Sequence, residues 1–136
     1  MAKFVATDYS ITLNGTALSD ALQSVNLTIQ SDEVETTTFG GGWKTMVGGL
    51  RSGSLQLNFF QDFAAGSVDA TLWPLINTVG TVVIKPTSST VSATNPSYTV
   101  PVLISQYQPF ASSVGDAATL SITLPTSGTV VRGTTA

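Results

Sequence analysis

The sequence contains no cysteine and no histidine among its 136 residues. Without cysteine the chain forms no disulfide bond and has no thiol chemistry. Without histidine it lacks the commonest general base and a frequent zinc ligand, so its many serines cannot form a Ser–His–Asp triad. No spacing indicates a Ser–Lys pair either. These absences argue against an enzyme, and we expect no catalytic residue, no cofactor and no metal.

Charge is also scarce, because only 10% of the residues are charged, against about a quarter in an ordinary globular domain. The net charge is −3. The basic residues are spread along the chain: Lys3, Lys44, Arg51, Lys85 and Arg132. Specific nucleic-acid binding needs a basic cluster and is not expected, whereas non-specific passage of nucleic acid is compatible with this balance. A free monomer keeps a charged surface for solubility, so we expect other subunits to cover part of this one.

Long apolar runs are missing as well. The N-terminus has no apolar core of the kind a signal peptide needs, and no run is long enough to span a bilayer. We therefore expect that the protein does not associate with a membrane and that it is synthesised in a cytoplasm.

Alternation of apolar and polar residues dominates what is present. It predicts strands, each with one packed and one polar face, at Tyr9–Leu13, Val25–Gln30, Ser54–Phe59, Thr81–Lys85, Tyr98–Tyr107 and Leu120–Leu124. Asn14-Gly15 predicts a hairpin turn after the first strand, and Pro101 predicts a sheet edge or bulge. The chain 1–136 is interpreted as a single, mainly β domain.

One segment, Ser67 to Val79, has helical spacing instead, with Val68, Leu72, Leu75, Ile76 and Val79 on one face. Ser67 is expected to cap its start and Gly80 to follow its end. Pro74 should kink the helix or split it. Trp73 is expected to pack in the core.

Residues 31–53 break the strand pattern and are predicted to form a long loop used in assembly. Exposed Trp and Met between glycines are unfavourable on a lone monomer but suit a contact with another subunit. Trp43 is therefore interpreted as an intersubunit anchor. The candidate interface residues are Phe39, Trp43, Lys44, Met46, Val47, Leu50 and Arg51.

Other motifs have structural interpretations. Asp32, Glu33 and Glu35 lack the ligand spacing of a calcium loop and are interpreted as a solvated acidic turn, or as a patch that repels DNA. Gly40-Gly41-Gly42 with Lys44 lacks the rest of a phosphate-binding loop. Asp62 and Asp69 could form a carboxylate pair but are better explained as a loop residue and a helix-start residue. Residues 87–96 are predicted to be an exposed loop, and residues 127–136 a polar tail that is loosely held unless a neighbour orders it.

Three segments in this order resemble a known family. They are VNLTIQSDEVETTTFGGGWKTMVGGLRSGSLQLNFFQDF from Val25 to Phe63, GSVDATLWPLI from Gly66 to Ile76, and SATNPSYT from Ser92 to Thr99. Together with Asn14-Gly15 and Leu18-Ser19-Asp20, they are similar to the tail tube (major tail) proteins of long-tailed bacteriophages. The resemblance runs over nearly the whole chain.

This resemblance implies an antiparallel β-sandwich or barrel-like subunit with one short flanking helix. It implies a virion structural protein, made in the host bacterial cytoplasm, whose copies form hexameric rings that stack into a tube for DNA ejection. Other tail proteins, such as the tape measure, terminator and baseplate, would be partners. Asp32, Glu33 and Glu35 are the candidates for residues that face the lumen.

Two alternatives stay open from the sequence. One is a capsid decoration or minor virion protein with a similar β-sandwich, which would bind capsids and not form tubes. The other is a receptor- or carbohydrate-binding module, whose aromatic platform could use only Trp43, Tyr98 and Tyr107.

Overall fold

The structure is a computed structural model that describes residues 5–135. The expectation about the N-terminus falls partly on residues 1–4, which lie outside the described residues, as does residue 136 of the tail. The strands are β1 (Ser10–Leu13), β2 (Thr16–Ala17), β3 (Leu22–Glu35), β4 (Met46–Phe60), β5 (Val79–Lys85), β6 (Ser97–Leu103), β7 (Thr119–Pro125) and β8 (Val131–Gly133). Helix α1 (Val68–Leu72) and a 3-10 turn (Trp73–Leu75) lie between β4 and β5.

The strands form two antiparallel sheets that pack face to face. One sheet has five strands in the order β2-β1-β5-β6-β8, and the other has three in the order β3-β4-β7. An isolated bridge between Val102 and Thr126 joins β6 to the residue that follows β7. The mainly β fold with one short helix, predicted from the sequence, is confirmed.

The alternating apolar residues supply the core, as expected for sheets with one buried face. The buried apolar residues are Ile11, Leu13, Leu18, Leu55, Leu57, Phe59, Val68, Leu72, Val82, Val100, Val102, Ile104, Leu120, Ile122 and Leu124. They come from both sheets and from α1, so a single core holds the layers together.

The turn at Asn14-Gly15 confirms the predicted hairpin. Both residues have positive φ angles, 49° for Asn14 and 86° for Gly15, as a two-residue type I′ turn requires. The turn places β2 against β1, with Leu13 opposite Thr16.

Pro101 lies opposite Thr81 in the β5–β6 ladder. Its carbonyl accepts a hydrogen bond from the Ser127 amide at 2.8 Å, so its backbone is turned away from β5. Proline therefore removes no donor from the ladder with β5, and it lies beyond the end of β8, where β6 has no partner strand among the described residues.

The helical segment is shorter than its sequence pattern predicts. Pro74 splits it, as expected, into α1 and the 3-10 turn. Val79 and Gly80 already belong to β5, so the expectation that Gly80 follows the helix end is wrong. Ser67 occupies the N-cap position, but its side chain makes no capping hydrogen bond to the helix.

Trp73 is 66% exposed, so the prediction that it packs in the core is wrong. It begins the 3-10 turn, where the chain leaves the α-helical path, and only Val68 and Leu72 of this region are fully buried. The apolar area of Trp73 is left on the surface.

Two connections are more ordered than predicted. The tail contains β8, which pairs with β6 from Ser97–Gly133 to Thr99–Val131, so the expectation of a loosely held tail is wrong for these residues. In the loop 87–96 the Asn95 side chain is buried, accepts a hydrogen bond from the Thr87 amide and donates to the Ser89 carbonyl.

Candidate assembly surfaces

The most prominent surface feature is a β-hairpin that extends beyond the sandwich. β3 and β4 pair almost continuously from Leu22–Phe59 to Glu35–Met46, with irregularities between Leu22 and Ser24 and between Ser31 and Glu33. We call residues 30–52 the arm. The predicted long loop at 31–53 is thus a hairpin, and only residues 36–45 at its tip are outside the strands.

Hydrogen bonds close the tip of the arm. The Thr36 amide donates to the Thr45 carbonyl at 2.8 Å, and the hydroxyls of these residues are 2.9 Å apart. The Thr45 amide also donates to the Thr37 hydroxyl at 3.0 Å. The tip is therefore held by threonine hydroxyls and backbone groups and not by a packed core.

The arm exposes large apolar side chains. Phe39 at the tip is fully exposed, Trp43 is 88% exposed and Leu50 is 81% exposed. All the candidate interface residues predicted from the sequence lie on the arm, exposed: Phe39, Trp43, Lys44, Met46, Val47, Leu50 and Arg51. Apolar groups gathered in this way favour a contact that removes them from water.

Gly53 fixes the base of the arm. Its amide donates to the Thr126 hydroxyl at 3.1 Å, and its carbonyl accepts from the Thr126 amide at 3.1 Å. A Cβ on Gly53 would lie 2.6 Å from the Thr28 carbonyl oxygen. A side chain has no room here, so glycine permits the close approach of the two strands.

The three acidic residues of the arm do not share one face. Alternation along a strand places Glu33 and Glu35 on one side and Asp32 on the other. A Cβ on Gly49 would lie 3.2 Å from both Asp32 Cβ and Val34 Cγ2, which fixes those residues on the second side. All three acids are exposed, but a single acidic patch does not form.

A cleft of about 420 Å³ opens between the two sheets beside β3, near the base of the arm. Its lining is largely apolar and includes Val25, Leu27 and Ile29 of β3 and Ile84 and Tyr98 of the other sheet. The sandwich is therefore open along this part of β3, and the cleft adds a second apolar surface close to the arm.

The carboxylates considered for catalysis have structural partners. Asp62 Oδ1 accepts a hydrogen bond from the Ala64 amide at 2.9 Å, and this bond together with one from Ser67 lowers the pKa of Asp62. Asp69 Oδ1 accepts a hydrogen bond from the Tyr107 hydroxyl at 2.7 Å. Both assignments as loop and helix-start residues agree with these contacts.

Tyr107 connects the loop after β6 to α1, which the sequence pattern did not predict. Its hydroxyl donates to Asp69 and accepts from Gln61 Nε2 at 3.1 Å. Burial, followed by the bond to Asp69, raises the pKa of Tyr107 to about 12. The phenol is therefore neutral over the ordinary pH range and serves as a fixed donor to the carboxylate.

The aromatic residues considered for a glycan platform lie on different elements. Tyr98 lines the cleft and its hydroxyl accepts from Arg132 Nε at 3.2 Å, whereas Tyr107 contacts α1 beyond the other end of β6. Trp43 lies at the tip of the arm. The three rings do not assemble into one platform.

Another aromatic pair was missed by the sequence analysis. Phe63 and Phe110 have ring centroids 5.8 Å apart and are both exposed. Within residues 5–135, no group of three or more potential ligand side chains is placed to hold a metal ion. No helix in the same part of the chain has the length and hydropathy needed to cross a bilayer.

Comparison with known proteins gives no match to a family model and no match to a curated protein. Solved structures do match. The fold aligns with a chain in the virion of a native gene transfer agent (GTA) particle with a TM-score of 0.73 at 16% identity, covering 92% of this chain and 95% of that one. This chain shares its fold with a GTA virion protein.

A second match is to a chain in the tail of an empty GTA particle with C6 symmetry. Its TM-score is 0.60 at 15% identity, and the alignment covers 82% of this chain and 81% of that one. The fold implied by the resemblance to tail tube proteins is therefore found in virion and tail structures, over nearly the whole chain.

Proposed function

We propose that this chain is a virion structural protein and forms the tube of a phage-like tail. Copies close into rings, the rings stack, and DNA passes through the lumen. The fold shared with a virion chain over 92% of the sequence supports a virion role, and the fold shared with a tail chain supports a place in the tail. The C6 symmetry of the matched tail suggests six subunits in each ring.

The arm is the observation that carries the assembly part of this proposal. It extends beyond the sandwich, it is held by backbone pairing, and it exposes Phe39, Trp43 and Leu50. Exposure of these apolar side chains to water is unfavourable, and the free energy falls when a neighbour covers them. If the arm of one copy binds a different surface of the next copy, this head-to-tail contact repeats in every subunit and gives rings or filaments.

Unpaired strand edges offer a second contact. The Thr126 amide bonds to Gly53 and the Gln61 amide bonds to Ala118, which fixes the alternation of backbone groups along the ladder between β4 and β7. The backbone groups of Ser121 and Thr123 therefore point away from β4. No strand among the described residues pairs with that edge of β7 or with the outer edge of β3.

Side-by-side pairing of these edges would extend the three-stranded sheet from copy to copy. Ala6, Thr7 and Tyr9 line a pocket together with residues 22–25 of β3, so the edge available for pairing would be the part of β3 beyond Val25. Because β4 is antiparallel to both neighbours, β3 and β7 run in the same direction. Copies related by rotation about an axis along the strands would meet in parallel pairing.

Catalysis has no part in this proposal. The tube would be found in the virion, after synthesis in the host bacterial cytoplasm. Other tail proteins, such as the tape measure, terminator and baseplate, would contact the tube from within or at its ends.

Sedimentation velocity over a range of protein concentrations tests the proposal. A tube subunit is expected to shift from single chains to rings and longer particles as the concentration rises. A chain that sediments as a monomer throughout, and that binds capsids, would contradict the tube and support the alternative of a decoration protein.

A further inference from the structure

The outer face of the three-stranded sheet is unusual because it carries no charge. Residues 22–31, 52–60 and 119–125 contain no Asp, Glu, Lys or Arg. In the middle of this face the outward side chains are amides and hydroxyls in register across the strands: Ser24, Asn58 and Ser121 in one row, and Asn26, Gln56 and Thr123 in the next. Phe60 and Pro125 lie outward at its two ends. The Asn58 side-chain amide donates to the Ser24 hydroxyl within this face.

This composition does not fit a binding interface. The centres of protein interfaces are enriched in aromatic residues, Met and Arg, and depleted in Ser. The arm has the former composition and the outer face of β3-β4-β7 has the latter. We call this uncharged surface the neutral face.

The neutral face also offers little to a nucleic acid. Phosphates are held by Lys and Arg, and unpaired bases stack on aromatic rings. Neither kind of group is present in the rows from Ser24 to Ser121 and from Asn26 to Thr123. Carboxylates, which would repel a polyanion, are absent too. The surface is hydrated by hydrogen bonds but has no charge with which to attract or repel DNA.

The sheet widths indicate which layer lies nearer the axis of a ring. Neighbouring strands are about 4.8 Å apart, so a sheet of three strands is narrower than one of five. The inner layer of a closed ring has the smaller circumference. The five-stranded sheet also ends in short strands, β2 and β8, which is how proteins block further pairing at an edge. Closure through the three-stranded sheet would leave its outer face toward the axis.

We propose that the neutral face lines the lumen, and that DNA passes because the wall offers it no charge, whereas the five-stranded sheet faces outward. This inference rests on the proposed tube function. It moves the lumen wall away from Asp32, Glu33 and Glu35 and assigns it to the amides and hydroxyls around Gln56.

Single-cysteine variants test the inference, because the chain has no cysteine of its own. Gln56→Cys lies in the middle of the neutral face, and Thr123→Cys is a second site in the same row. Thr81→Cys is the control, since Thr81 is exposed on the outer side of the five-stranded sheet, between the buried Gly80 and Val82. Each variant is treated with N-ethylmaleimide and with a maleimide on a polymer too large to enter the tube, before and after assembly.

All three variants should react with both reagents as free subunits. In tubes that electron microscopy confirms, Gln56→Cys and Thr123→Cys should lose the reaction with the polymer but keep that with N-ethylmaleimide. Thr81→Cys should keep both. A lumen site and a buried contact are thus distinguished, because a buried contact would exclude the small reagent as well.

Three results would overturn the inference. Reaction of Gln56→Cys and Thr123→Cys with the polymer in tubes would place the neutral face outside. Loss of the reaction with both reagents at these sites would place the neutral face in a contact between subunits. Loss of the polymer reaction at Thr81→Cys alone would place the five-stranded sheet toward the lumen and the three-stranded sheet outside. Failure of the unsubstituted chain to form tubes would instead refute the proposed function, and the inference with it.

Discussion

Gly53 shows how one residue without a side chain determines where the arm begins. The strands approach so closely here that a Cβ would lie 2.6 Å from the Thr28 carbonyl oxygen. The same residue bonds to Thr126 through both its amide and its carbonyl. The base of the arm is therefore tied to the end of β7, and a shift at Gly53 would disturb both.

Gly53→Ala is expected to lower the free energy of unfolding by roughly 1–3 kcal/mol, as overpacking does. Gly40→Ala is the matched control, because a Cβ there would meet nothing within 4 Å. Urea unfolding at concentrations where the protein is monomeric measures both. Equal stability of the two variants would mean that β3 and β4 move apart to accommodate the added methyl group without lowering the free energy of unfolding.

Tyr107 makes a second prediction, on the pH dependence of stability. Its pKa is about 12 in the folded protein against an ordinary value of 10.0. Folding therefore disfavours ionisation, so the stabilisation from the neutral phenol is complete below pH 10.0 and is lost as the pH rises through about 12. Urea midpoints measured across this interval should fall.

Tyr107→Phe is the control for that measurement. It removes the hydrogen bonds to Asp69 and Gln61 and should reduce stability at neutral pH by about 1–2 kcal/mol. Its urea midpoint should fall less than that of the unsubstituted chain over the same alkaline interval. An identical fall in both proteins would assign the effect to other groups.

At the scale of elements, the strands that bury one face could be predicted from the sequence. Leu120, Ile122 and Leu124 alternate with polar residues and are all buried in β7. The turn at Asn14-Gly15 could be predicted because few residue pairs adopt two successive positive φ angles. In both places the local pattern and the tertiary structure impose the same requirement.

The arm could not be predicted as a hairpin because it buries neither face. Apolar and polar residues alternate along a strand when one of its faces is buried. From Gln30 onward both faces of β3 are exposed, so nothing requires that alternation there. The prediction that Trp73 is buried was wrong for a related reason. Apolar size suggested burial, but the 3-10 turn before Pro74 leaves it exposed. Its exposure depends on a local change of helix type that spacing does not encode.

The arm itself makes a prediction at this scale. Trp43→Ala should leave the urea stability of the monomer unchanged, because Trp43 is 88% exposed, and should raise the concentration needed for assembly. Interface anchors of this kind are worth about 2 kcal/mol or more, or roughly a 30-fold shift for each contact. Sedimentation velocity measures the shift.

Trp73→Ala is the control for Trp43→Ala, because Trp73 is also largely exposed but lies outside the arm. It should assemble like the unsubstituted chain. Unfolding of the Trp43→Ala monomer would place Trp43 in the core. Equal weakening of assembly by both substitutions would remove the special role of the arm.

At the scale of the whole molecule, the charges are placed unevenly. Asp32, Glu33, Glu35, Lys44 and Arg51 all lie on the arm, whereas the sandwich part of the three-stranded sheet has none. The sequence identified the scarcity of charge but not its location, since the two sheets and their faces are defined only by long-range pairing. The proposed lumen wall leaves out the acidic residues of the arm, which the sequence made candidates for facing the lumen.

Replacing Glu33 and Glu35 by lysine tests those candidates. Tubes should still form, because both residues are exposed, and particles built with the variant should deliver DNA normally, because the proposed lumen wall contains neither residue. Asp116→Lys, on an exposed loop, is the control. Reduced DNA delivery by the double variant, but not by Asp116→Lys, would return Glu33 and Glu35 to the lumen, because lysines there would hold phosphates.

Electron microscopy of the purified protein, assembled at high concentration without other tail components, tests self-assembly into a tube most directly. We predict rings viewed end-on and stacked filaments of uniform width with a central channel, with rotational averages that fit six subunits. Fields that contain only single compact particles at every concentration would contradict the account.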